Sequence, residues 1–147
     1  MADFSLPGTT PAAPDDDGRV DPRYAAAVAT GDPARVRAAI LVSRFLVPVV
    51  AVPGVDGADA EMAVPALVAA DGARALPVFS SYDELRAWRA DARPVPMPGA
   101  RVVRGAVGEG YDGIVVDVAG PAPVTIADDD LRALAHSVRA VHKPSSG

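Results

Sequence analysis

Leu76-Pro77-Val78-Phe79-Ser80-Ser81-Tyr82-Asp83-Glu84-Leu85-Arg86-Ala87-Trp88 changes its period half-way along. Up to Phe79 the residues are apolar and few, as in a short buried strand. From Ser81 they form a capping box, in which the Ser81 side chain accepts the N–H of Glu84 and Glu84 reaches back to the cap. Leu85 and Trp88, three positions apart, then share one helical face. A strand running directly into a capped helix sets the scheme for the rest. Upstream, Met62 to Ala70, the turn Asp71-Gly72 and Ala75 to Phe79 read as an antiparallel hairpin, the second and third strands of a meander. Before it, Phe45 to Val52 reads as a β-branched strand, with Pro48 expected at an edge or bulge where its missing donor does no harm. Asp21-Pro22 and Asp32-Pro33 each set a capping side chain before a Pro at the first helical position, so helices are expected over 22–30 and from 33 to about 43.

Downstream, Pro94 to Pro98 is held extended by its alternating prolines. A helix is expected from Gly99 to about Gly108, against the poor helix propensity of its glycines and valines. Gly113 to Val118 is the strongest strand signal, and Val124-Thr125-Ile126 follows a Pro- and Gly-rich turn as its short partner. The last helix starts at Asp128-Asp129-Asp130, where the dipole favours acids, and repeats Leu131, Leu134, Ala135, Val138 and Val141 at helical spacing. Helices interleaved with hairpin-like strands predict a single α+β domain, a mixed, largely antiparallel sheet with helices packed on it.

Composition bounds the chemistry. The 147 residues carry a net charge of -5, which argues against a partner whose phosphates must be neutralised, so no nucleic acid is expected. With no Cys there is no thiol nucleophile, Cys-ligated zinc or disulfide framework. Residues 1–19, with three prolines and the run Asp15-Asp16-Asp17, are expected to be a disordered acidic leader; 20–142 form the domain and 143–147 a frayed tail. The start lacks the basic and apolar regions of a secretory signal, and no stretch reaches the length of a membrane span, so a cytoplasmic protein without a membrane partner is expected. The excess of Arg, Ala, Pro and Val over Lys fits a GC-rich bacterial genome.

Most motif-like clusters have an ordinary explanation. Gly108 to Gly113 spells G-x-G-x-x-G, but these glycines precede a strand instead of following one and opening a helix, which favours a permissive loop over a dinucleotide site. His136 and His142, six apart on a helix, point in different directions and make no zinc pair. Asp56, Asp59 and Glu61 lack the register of a calcium loop, and Asp128 to Asp130 are explained by their helix start. Arg86, Arg89 and Arg93 read as ordinary exposed charge. No metal, cofactor or catalytic residue is expected.

Leu76 to Trp88, followed by Arg93-Pro94-Val95-Pro96, resembles the centre of the SseB (enhanced serine sensitivity) family N-terminal domain. Phe45 to Val49 and Met62 to Leu67 look like its first two strands, and Ile114 to Pro121 like its late strand and turn. The resemblance covers about residues 22–140. It implies an α+β domain of bacterial, mostly cytoplasmic proteins, and supplies no catalytic residues to transfer.

The leading expectation is a non-enzymatic protein-interaction or regulatory module, with a protein partner or a second copy docking beside Phe79 and Trp88 or at an edge near Pro48 or Pro94. The alternative is a sensor or enzyme for a small metabolite, using a polar pocket built from Arg44, Ser80, Ser81 and Asp117.

Overall fold

The computed structural model describes residues 16–52 and 61–142. The acidic residues Asp56 and Asp59, most of the leader and the tail lie outside the described residues, as does the side chain of His142. Five helices and seven strands follow in the order α1 (Pro22–Thr30), α2 (Pro33–Val42), β1 (Arg44–Val52), β2 (Glu61–Ala63), β3 (Leu67–Val68), β4 (Arg74–Val78), α3 (Tyr82–Trp88), β5 (Arg93–Pro98), α4 (Gly99–Gly108), β6 (Gly113–Val116), β7 (Val124–Ala127) and α5 (Asp128–His142). This is the α+β class that the sequence predicts.

The strands divide into two sheets, ordered β2-β1-β5 and β3-β4-β6-β7. They meet at one bridge, where the Leu46 N–H donates to the Phe79 carbonyl at 2.8 Å and the Phe79 N–H to the Leu46 carbonyl at 2.9 Å. All pairs are antiparallel except β4 with β6. The single strand expected over 62–70 is therefore split: β2 pairs with β1, and only Leu67 and Val68 close the hairpin onto β4. Met62 to Ala70 passes from one sheet to the other, so its two ends serve different partners and the meander does not form.

β1 is buried along most of its length. Phe45 and Val47 enter the main core with Ile40, Leu76, Val102, Ile114 and Leu131, whereas Leu46 and Val50 pack with Phe79, Leu85 and Ala92 in a smaller core. Two-sided burial explains the unbroken apolar run. It also places Pro48 in a central strand, contrary to the edge position expected. Backbone groups alternate along a strand, so Pro48 faces the same side as Leu46. That side is unpaired between the Phe79 bridge and the β2 pairing that begins at Val50, and no donor is required there.

The same alternation gives β5 its character. Pro94, Pro96 and Pro98 stand opposite Pro48, Leu46 and Arg44, so their missing donors all lie on the outer side of β5. This edge presents no N–H from these positions to an incoming strand, which argues against the docking edge expected at Pro94.

α1 and α2 begin as expected: Asp21 and Asp32 cap them through the N–H groups of Arg23 and Ala34, and α1 stops at Gly31 with φ 71°. α4 spans the predicted residues, and its first glycine is a packing requirement. A Cβ on Gly99 would fall 1.7 Å from the Ile40 carbonyl oxygen, where α4 crosses the end of α2.

Candidate functional site

β4 and β6 are parallel, and beyond their carboxyl ends the chain departs in two directions, from β4 into α3 and from β6 into the Asp117 turn. Crevices at such strand ends are common ligand sites in sheets with parallel strands. Asp117 sits in this one. Its N–H continues the ladder by donating to the Val78 carbonyl at 2.9 Å, and its carbonyl accepts the Gly120 N–H at 2.9 Å. Its φ of 57° lies in the left-handed region, which Asp tolerates better than most residues. This conformation swings the carboxylate back over β4, where Oδ1 accepts the Ser80 N–H at 2.7 Å and Oδ2 accepts the Ser80 hydroxyl at 2.6 Å.

Above this pair lies a cleft of about 340 Å³. Its polar lining is Tyr24, Ser80, Glu84 and Asp117, and its walls include Val20, Val28 and Pro121. Tyr24 is only 4% exposed and its ring meets Phe45 edge-on, with centroids 5.0 Å apart. Its hydroxyl makes no hydrogen bond among the described residues. Burial raises its pKa well above the ordinary phenol value, and the negative charge of Asp117 adds to the effect. Glu84 also titrates high, through burial first, then the charges of Asp117 and Asp83. Asp117 itself is raised by burial, against the lowering effect of its two bonds from Ser80. A second cavity, of about 310 Å³, adjoins this one and shares Val28 and Ala122 with it, running between α1, α2 and β7.

The site residues expected from sequence divide into four groups. Ser80 and Asp117 are joined directly and line the cleft. Arg44 touches this pair by donating to the Ser80 carbonyl at 3.2 Å, but the rest of its guanidinium is taken up elsewhere. It donates to the Arg19 carbonyl and pairs with Asp16 at 2.8 Å, with side chains 20% and 11% exposed. Arg44 thus clips the last residues of the expected leader to β1 and does not line the cleft. Ser81 caps α3 by accepting the Glu84 N–H at 3.2 Å. Phe79 and Trp88 stack at 5.3 Å in the smaller core, away from the cleft. Arg86 and Arg89 lie over the Tyr82 and Trp88 rings, and Arg89 also pairs with Asp91 at 2.9 Å.

Two cleft residues escaped the sequence reading. Tyr24 carries no signal beyond an aromatic residue in an amphipathic helix. Glu84 was assigned to the capping box, yet only half of that box forms. The Glu84 carboxylate accepts no hydrogen bond among the described residues and lies against Gly120, where a Cβ would stand 2.6 Å from Oε1. The glycine motif is a turn: Gly108 ends α4, Gly110 has φ 83° and Gly113 opens β6. Among the described residues no three His, Cys, Asp or Glu side chains gather to hold a metal ion. No helix there is long and apolar enough to cross a membrane.

The family model of the SseB protein N-terminal domain matches residues 23–133, from the first turn of α1 into α5. The chain belongs to this family. The matched span of the SseB domain contains every cleft residue named above except Val20, together with the Ser80–Asp117 pair. No curated protein and no solved structure matches the chain.

Proposed function

We propose that this SseB domain is a non-enzymatic interaction or regulatory module that recognises its partner through the cleft at the carboxyl ends of β4 and β6. The observation that carries the reading is Tyr24, whose ring is buried while its hydroxyl, facing the same cleft as Asp117 and Glu84, makes no hydrogen bond among the described residues. A hydroxyl carried by a buried ring to the wall of a cleft, with its hydrogen bonds not spent on the fold, is free to meet a bound partner. Recognition is favoured over turnover because Ser80 is only 3% exposed and both its N–H and its hydroxyl are used in holding the Asp117 carboxylate in its turn. The adjoining apolar cavity along α1 gives a partner further surface. The protein would act in a bacterial cytoplasm, and its acidic charge disfavours nucleic acid as the partner.

The reading as a small-metabolite sensor uses the same cleft with a different polar set. Arg44 is occupied by Asp16, Arg19 and Ser80, so Tyr24 and Glu84 replace Arg44 and Ser81 beside Ser80 and Asp117. A fragment screen by amide chemical-shift mapping on the full chain tests both, using cationic, anionic and neutral compounds. Saturable shifts at Tyr24, Ser80, Glu84 and Gly120 are expected. Responses confined to other surfaces would sink the cleft as the recognition site. Light scattering on the same sample then separates a monomeric sensor from a module that pairs with a second copy.

A further inference from the structure

The polar groups of the cleft are of one kind. Asp117 and Glu84 offer carboxylate oxygens, Tyr24 offers a hydroxyl oxygen, and among the described residues no Lys, Arg or His lines the space. Both Asp117 oxygens take one hydrogen bond from Ser80, which leaves further acceptor positions on each. The Glu84 carboxylate and the Tyr24 hydroxyl take none among the described residues. An anion entering here would meet two like charges with no counter-charge, and a neutral apolar body would leave three oxygens unsatisfied. The group that answers the arrangement is a cation with several N–H donors and a short apolar stem. The stem would lie against Val20, Val28 and Pro121.

Resting on the cleft being the recognition site, we propose that it binds a primary alkylammonium group, with Asp117, Glu84 and Tyr24 as acceptors for its N–H donors. Three acceptor groups match the three N–H bonds of an ammonium, and charge-assisted bonds of this type are the strong ones. Tyr24 is the independent sign of a ligand: its side chain is buried in the core, it lines the cleft, and its hydroxyl has no hydrogen-bond partner among the described residues. The ammonium can come from a free amine or from a lysine side chain of a partner protein. A free α-amino acid fits poorly, because its own carboxylate would enter beside Glu84 and Asp117.

The test is amide chemical-shift titration of the full chain with n-butylammonium, and with n-butanol and butyrate at equal concentration and ionic strength. Saturable shifts at Ser80, Glu84 and Gly120 are expected with the ammonium alone. Glu84→Gln and Tyr24→Phe keep the shape of their side chains, and each should weaken the ammonium response, Glu84→Gln by about ten- to a hundredfold. A blocked Gly-Lys-Gly peptide distinguishes the two sources. Tighter binding than n-butylammonium assigns a lysine of a partner protein, and weaker binding assigns a free amine. The proposal is overturned if n-butylammonium moves the cleft amides no more than n-butanol does, or if both variants bind it as the wild type does. Should butyrate or n-butanol saturate the cleft instead, the ammonium class falls and the recognition site stands. If no compound in the wider screen moves these amides, both fall.

Discussion

Asp21 and Asp117 are two carboxylates that each tie together distant parts of the chain, and the fold treats them oppositely. Asp21 caps α1, accepts from the Arg23 guanidinium at 2.9 Å and accepts the Arg44 N–H at 3.1 Å. The Arg23 side chain, followed by the backbone donors of Arg23 and Arg44, holds its pKa down at about 2, against a smaller upward effect of burial. Among the described residues Asp117 has only the neutral donors of Ser80, and burial raises it. One acid is stabilised in its charged form by a cation of its own. The other stands next to Glu84 with no cation beside it among the described residues of the cleft, and this marks the second region as the one that an external group can improve.

Removing each acid should show the contrast in its most direct form. Asp117→Ala takes both acceptors from Ser80, leaves a buried N–H and hydroxyl without partners, and puts a Cβ residue with no local hydrogen bond at positive φ. A loss of about 2–4 kcal/mol is expected from the urea midpoint. Asp117→Asn keeps the left-handed preference and an acceptor for the Ser80 N–H, so about 1 kcal/mol or less should be lost. Equal losses for the two would mean that the hydrogen bonds are not what holds this turn.

Asp21→Ala should cost about 1–2 kcal/mol, from the lost cap of α1 and the lost acceptor for Arg44. Unlike the Asp117 variants it should leave the Ser80, Glu84 and Gly120 amides of the cleft unshifted, because its bonds lie at the start of α1 and on β1. Cleft shifts as large as those of Asp117→Asn would show that the two regions are not separate.

How far these two regions could be read in the sequence depended on the range of the interactions. Asp21 was legible because its main role is local, an Asp before a Pro at a helix start. The left-handed stop at Gly31, the Ser81 cap and the bounds of α4 were legible for the same reason. Asp117 was read inside a strand expected to reach Val118 and as one polar residue of a candidate pocket; β6 instead ends at Val116, and the bonds of Asp117 to Ser80 depend on β4 lying parallel to β6, which local pattern does not set. Gly99 reads as a helix-weakening residue until α2 is seen to cross it. Glu84 had a sufficient local explanation in the capping box, which concealed that its carboxylate turns toward Gly120. Met62 to Ala70 had one period but two partners, and only the assembled sheets decide where such a segment divides.

Acid titration should separate the regions by sign. Asp21 has a folded pKa below its ordinary 3.8, so its contribution is present above that value and is lost as pH falls through about 2. Asp117 and Glu84 have raised folded pKa values, so the folded chain takes up their protons before the unfolded chain does. Their contribution to stability therefore grows as pH falls from neutral through those raised values. Wild type measured against Asp117→Asn should gain relative stability between neutral pH and about 4, whereas wild type measured against Asp21→Asn should lose it only below about 4. Urea midpoints across this range check both slopes, and slopes of the same sign would contradict the contrast. Carbon-detected titration adds a finer point: Asp117→Asn should bring the Glu84 pKa down toward its ordinary value, because the Asp117 charge helps to raise it.

The smallest effect expected on stability is the most informative about the cleft. Glu84→Gln removes a charge that Asp117 and Asp83 repel and breaks no hydrogen bond made by the carboxylate among the described residues. It should therefore leave stability unchanged or raise it by a few tenths of a kcal/mol, roughly the size of an exposed charge interaction. The backbone N–H of residue 84 would still donate to Ser81, so the α3 cap is kept. A residue that the fold would gain by neutralising, in a cleft with no cation among its described residues, is best explained by something that the cleft binds. If the urea midpoint instead drops by about 1 kcal/mol or more, Glu84 is holding the α3 turn together, and the distinction between a structural Asp21 and a recognition cleft at Asp117 loses one of its two acids.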